Sequence, residues 1–270
     1  MKNRLSVSLL AINDFSKLDN FLKLLEKNKI RYIELPITKI LPNYEINHKK
    51  IEDFLKKISK YEIKISSVQA IFHKKKLNIF KIEDHKEIVK HLKRILLITK
   101  LLNTKNIIFG SPNNRIKGNI SNQEAFKIFK NLLNKIQPEL IRNRINFCIE
   151  PNSKFYNCDF ILNCSDALRF INYAKIKNLG INFDTGNALL EQEKIKITDE
   201  NQRYFKNFQV SEKNLLGLKS NLDRYRKLLR KFTIKKQFIS LETLNLSLID
   251  LGIVTQPFAF LQNTAGLSSS

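Results

Sequence analysis

The chain has 270 residues, 43% of them hydrophobic, which excludes a disordered chain and suits one large domain with a full core, needing neither disulfides nor structural metal. No stretch approaches the ~20 apolar residues of a membrane span, and the apolar run Leu5 to Ile12 is too short for a secretory leader, so a cytoplasmic protein with no membrane partner is expected. The formal net charge of +23 suggests a polyanion, but Lys, Asn and Ile are abundant together and the lysines are spread along the chain, so we read it as compositional and expect no nucleic acid, while anionic substrates would still be steered inward.

Short apolar runs rich in Ile, Val or Phe fall at roughly 5–11, 31–35, 63–71, 106–110, 145–150, 179–184, 206–211 and 237–242. Such runs read as strands buried on both faces. Between them lie lysine-rich stretches with apolar residues at three- and four-residue spacing: Phe15 to Lys27, Ile51 to Lys60, His85 to Leu102, Gln123 to Ile136, Ser165 to Lys175 and Leu215 to Phe232. That spacing predicts helices with one packed face. Asp14 or Ser16 can cap the first, and Ser121 with Glu124 forms a capping-box candidate.

Eight strand candidates alternating with helices predict a single-domain (β/α)8 TIM barrel. A doubly wound sheet is disfavoured, because no GxGxxG follows the first strand. The barrel is expected over residues 1–245. Residues 246–270 contain no Lys or Arg and read as a short or irregular C-terminal tail. Cys148, Cys158 and Cys164 form no CxxC pair and read as reduced thiols, Cys148 in the core and the other two incidental. His48, His85 and His91 sit in polar surroundings and are expected at the surface.

In a barrel, polar residues at strand C-terminal ends line the mouth. Those positions hold Glu34, Gln69, His73, Ser111, Asn114, Arg115, Glu150, Asp184, Gln209, Ser211 and Glu242. Glu150, Asp184 and Glu242 each end an apolar run. Three acids facing one mouth repel one another, so a cation, a bound proton or nearby Lys and Arg must offset them. A hard cation held by carboxylate oxygens is the economical solution, against the plainer reading that each acid caps a helix or pairs with a lysine. Arg115 could grip a phosphate or carboxylate, and His73 either contacts the substrate or lies exposed beside Lys74–Lys76. Glu212 is expected to pair with a lysine.

The segments Ser67–Phe72, Leu77–Phe80, Ile108–Arg115, Ile149–Asn152, Phe183–Asn187, Phe208–Glu212 and Ile239–Glu242 together resemble the xylose-isomerase-like superfamily. That superfamily includes sugar phosphate isomerases/epimerases and family 2 AP endonucleases. The resemblance runs through roughly residues 5–244. It implies a divalent metal held by Glu150, Asp184, Gln209 and Glu242, with Gln209 standing where the family most often has His. Asn207 also stands where many relatives carry His. An all-oxygen set prefers Mn2+ or Mg2+ to Zn2+, and binding would be weak or lost without the imidazole.

The implied reaction is isomerisation or epimerisation of a sugar or sugar phosphate, with Glu150 and Glu242 moving the proton beside a carbonyl. Gln69, His73, Asn114, Arg115 and Ser211 are the implied substrate contacts, and a homo-oligomer is in keeping with the family. Two alternatives stand beside it. A non-catalytic sugar- or partner-binding relative is favoured by Gln209 and the unusual C-terminus. A phosphodiester hydrolase of the AP-endonuclease type is favoured by the charge, but the chain has only four His.

Overall fold

The computed structural model describes residues 4–218, 223–230, 232 and 237–244. The predicted tail, 246–270, lies outside them. Eight parallel strands close into a barrel in sequence order, β1 pairing with β8 through Leu5–Ile239, Ser6–Ser240 and Val7–Leu241. They are β1 (Leu5–Ser8), β2 (Tyr32–Pro36), β3 (Lys64–Gln69), β4 (Asn106–Phe109), β5 (Asn146–Ile149), β6 (Leu179–Asp184), β7 (Phe205–Val210) and β8 (Phe238–Leu241). Each falls on one of the apolar runs singled out in the sequence; β6 coincides with its run, and the others differ by a residue or more at one end or both.

The helices are α1 (Leu18–Lys27), α2 (His48–Ser59), α3 (His85–Leu101), α4 (Asn122–Asn134), α5 (Gln137–Asn143), α6 (Cys164–Ala174), α7 (Thr185–Leu190), α8 (Asp199–Gln202) and α9 (Asp223–Leu229). Asp14 caps a short 3-10 turn just before α1, accepting from the Ser16 amide at 2.9 Å. Ser121 caps α4 through the Glu124 amide at 3.1 Å. Leu18, Phe21, Leu22 and Leu25 are the buried stripe of α1, as amphipathic spacing requires.

Apolar side chains fill the layer between strands and helices. Phe129 and Phe170 stack there at 4.9 Å, and Phe109 and Phe147 lie at 5.3 Å. The inside of the barrel is polar. Hydrogen bonds run between strands that are not neighbours: Gln209 of β7 to Glu34 of β2 at 2.7 Å, Gln69 of β3 to Ser8 of β1 at 2.6 Å, and Ser6 to Ser66 at 2.7 Å. Barrel interiors are more often packed with branched aliphatics.

Two sequence expectations are corrected. His91 is fully buried, its Nε2 2.6 Å from the Ile71 carbonyl oxygen and its ring edge-on to Tyr44 and Phe72. Lys90 and Lys93 lie close to it in sequence, but the helical period turns it onto the packed face of α3 with Ile88, Leu92 and Ile95. Glu212 meets Arg224 and the Tyr225 hydroxyl rather than a lysine. All three cysteines are free and buried.

Candidate active site

Asp184 ends β6, Glu150 and Glu242 stand just past the ends of β5 and β8, and Glu34, expected at a strand end, instead lies in the middle of β2; the closed barrel brings all four together. Glu34, Asp184 and Glu242 are buried, while Glu150 keeps part of its surface open. Among the described residues, none of the four forms an ion pair. Register shifts at Ile33/Glu34 and at Ile181/Asn182 set the pairing of the polar ends of β2 and β6.

Amides and hydroxyls stand where countercharges would be expected. Asn182 donates to Glu150 Oε2 at 2.9 Å and also to the Gln209 carbonyl oxygen. Gln209 in turn donates to Glu34 at 2.7 Å and to Gln69 at 3.3 Å. Ser67 donates to the other Glu34 oxygen at 2.6 Å. Asn152 donates to Glu150 Oε1 at 2.7 Å, and Arg115 donates to the Asn152 oxygen at 2.6 Å, which fixes the amide's orientation.

Asp184 caps α7, accepting from the Asn187 backbone at 2.7 Å, so the plain capping reading of this acid holds. It also accepts from the Asn187 side chain at 3.0 Å and from Ser211 Oγ at 2.6 Å. Gly186 permits this closeness, since a Cβ there would sit 2.5 Å from Ser211 Oγ and 3.3 Å from Asp184 Oδ1.

The four acids hold protons more tightly than solvated carboxyls. Desolvation pushes Glu150 up to about 8, the Asp184 charge adds to it, and the Asn152 hydrogen bond and Arg115 oppose it. Glu242 lies well above its ordinary range, through burial first and then through Glu150, Glu34 and Asp184. Burial also raises Glu34 and Asp184 against their hydrogen bonds. The protons belong to the cluster more than to any one residue.

Among the described residues, no three His, Cys, Asp or Glu side chains gather closely enough to hold a metal ion. Gln209 turns its oxygen to Asn182, and Glu150 and Asp184 accept several N–H and O–H donors. As folded, the four positions implied as ligands do not fit a divalent cation. A metal would first have to break the Asn182–Gln209 bond.

The five implied substrate contacts separate into three places. Gln69 and Ser211 belong to the carboxylate network. Arg115 is fully buried behind Glu150, donating to its backbone oxygen at 2.6 Å. His73 and Asn114 line a separate cavity beyond β3 and β4. Asn152, Asn182 and Asn187 were not singled out in the sequence. The alternations Asn182-x-Asp184 and Asn207-x-Gln209 carry the signal, because in a strand they put both polar groups on one face.

Fold and site define a TIM barrel whose polar side chains gather at the C-terminal mouth. A family model described as xylose isomerase-like TIM barrel matches residues 22–247, and the chain belongs to that family. Similar solved structures include the 3-keto-D-glucoside 4-epimerase YcjR from E. coli, in its apo form (TM-score 0.74, 13% identity, covering 97% of this chain and 100% of that one). IolI, solved with a bound zinc atom, is similar over 99% of both chains (TM-score 0.72, 17% identity). A D-psicose 3-epimerase crystallised in the presence of D-fructose covers 97% of this chain and 95% of its own (TM-score 0.69, 14% identity). No curated protein matches the chain significantly. Among the described residues, no helix is long and apolar enough to cross a membrane.

Proposed function

We propose that the chain is a sugar isomerase or epimerase that moves a proton on carbon beside a carbonyl, with Glu150 and Glu242 as the proton carriers. The observation that carries this reading is the group of four carboxyls inside the barrel and at its mouth, none of which forms an ion pair among the described residues. In such a group, at least one member keeps its proton at neutral pH and is a ready acid. An ionised member is a stronger base than a carboxylate in water. Glu150, the most open of the four, is the one a substrate reaches first. Amides that hold the carboxyls in place keep both carriers oriented through the proton transfer.

No step is assigned to a metal, because the donor set as folded does not fit one. The Mn2+ or Mg2+ expectation therefore becomes part of the test. Pentoses, hexoses and their phosphates are incubated with the protein and the products resolved by chromatography. Turnover of at least one is expected, unchanged by Mn2+, and reduced at least ~100-fold by Glu150→Gln or Glu242→Gln. Turnover that requires Mn2+ would return Glu150, Asp184, Gln209 and Glu242 to the role of ligands.

The closed hydrogen bonding around Gln209 favours a second reading, a sugar-binding relative without turnover. It predicts saturable sugar binding with no product in the same screen.

A further inference from the structure

Half-buried Tyr156 carries a hydroxyl over the mouth that the proton transfer leaves unused. We propose that Tyr156 donates this hydrogen to the substrate's carbonyl oxygen and holds the oxyanion that develops as Glu150 takes the neighbouring proton. The proton transfer in that statement rests on the function proposed above; the aim of the hydroxyl at an oxyanion does not.

Topology places the ring. Tyr156 ends a 3-10 turn, Lys154–Tyr156, in the loop after β5. Its hydroxyl oxygen accepts from the backbone N–H of Asn214 at 3.0 Å, in the loop after β7. Strand β6 lies between β5 and β7 in the barrel. A side chain joining the two outer loops therefore crosses the C-terminal end of β6, where Asp184 stands. Burial pushes the phenol up, against the Asn214 bond, and the charges of Asp184, Glu150 and Glu242 push it the same way. At neutral pH the ring thus offers the carboxyl cluster a donor and not a further anion.

The crossing is pinned on both sides. Ser153 donates its backbone N–H to the Asn187 side-chain oxygen at 2.9 Å and its hydroxyl to Glu191 at 2.5 Å. The Lys213 ammonium lies 3.9 Å from the centre of the Phe155 ring. Leu244 donates its N–H to the Leu215 carbonyl at 2.7 Å, tying the loop after β7 to the chain after β8. Asn157, Asn214 and Leu215 hold left-handed backbone, with φ of 58°, 57° and 53°, which a branched residue such as Leu215 seldom adopts. A donor fixed in advance stabilises a developing charge without reorganising when the charge appears.

The free hydrogen separates a donor from a strap. Among the described residues, the Tyr156 hydroxyl hydrogen has no acceptor. Neighbouring donors are engaged: Ser211 with Asp184, Asn187 with Glu150 and Asp184, and Asn182 with Glu150 and Gln209. The reaction calls for one more. When Glu150 takes the proton from carbon, the C–H electron pair becomes a C=C bond and the carbonyl pair moves onto oxygen. That oxygen is then an anion among carboxyls whose donor set, as folded, does not fit a cation. A hydrogen bond from Tyr156 stabilises it while the phenol keeps its proton. Glu242 returns a proton to carbon and the pair moves back.

Calorimetry with chelator present tests the proposal on wild type and Tyr156→Phe. The probes are D-arabinonohydroxamate, whose planar, electron-rich oxygen pair copies an enediolate, and D-fructose, which carries no such charge. Thermal melts check that the variant is folded. Wild type should prefer the hydroxamate by at least about tenfold, and Tyr156→Phe should lose that preference while keeping its affinity for fructose. With any sugar that is turned over, Tyr156→Phe should lower kcat at least ~100-fold and leave KM within about threefold. A variant that retains the hydroxamate preference would overturn the proposal, even if both affinities fall together, because a side chain that only straps two loops serves both molecules alike. So would a wild type without the preference. Preference lost with the hydroxyl, but no turnover of any sugar, would sink the isomerase reading and leave Tyr156 standing as the donor.

Discussion

Asn182 joins the two halves of the site. Its amide nitrogen reaches both Glu150 and Gln209, while its oxygen accepts from Asn207 at 2.8 Å. Glu150, Asp184 and Glu242 were legible in the sequence because an acid that closes an apolar run stands where a barrel strand opens onto the mouth. The asparagines were not, because an amide's role depends on which strand faces it, and that follows only from closure. Glu150 also makes a pH prediction. Its folded-state pKa, about 8, lies above the ordinary 4.5. Its contribution to stability is thus fully present below about 4.5 and is lost as pH rises through about 8. Between pH 5 and 8.5, urea denaturation should cost wild type about 1–3 kcal/mol more than Glu150→Gln. Parallel pH profiles for the two proteins would remove the buried proton from the account.

At the scale of elements, strands were easier to read than what joins them. Apolar runs mark β1 to β8 because each strand packs under helices. The shifts at Ile33/Glu34 and Ile181/Asn182 leave no mark in composition. Helix α7 was not anticipated either, being only six residues long and capped by a residue assigned to the site. The stretch from Leu215 to Phe232 has the spacing of one helix, and its described part holds a helix only at Asp223–Leu229. The turn from β6 into α7 is tight enough for a sharp prediction. Gly186→Ala would drive a methyl against Ser211 Oγ and the backbone of Glu212. It should destabilise the protein by about 1–3 kcal/mol in thermal denaturation, because the nearest partners are buried and bonded. A variant as stable as wild type would mean that β6 and β7 pack less closely than described.

For the molecule as a whole, the barrel was the most legible feature, since eight alternations of strand and helix leave few other closures. The charge was the least. A count of lysines cannot separate a spread from a cluster, and the gathering of Lys74, Lys75, Lys76 and Lys81 around one cavity depends on the fold.

The most direct measurement of the proton-moving role is deuterium incorporation from D2O, followed by proton NMR at the carbon beside the carbonyl of the sugars and sugar phosphates in the screen, with chelator present. Wild type is expected to incorporate deuterium into at least one of them, and Glu150→Gln and Glu242→Gln into none. Incorporation that survives both substitutions would contradict it, and so would a wild-type protein that binds these sugars and exchanges no proton.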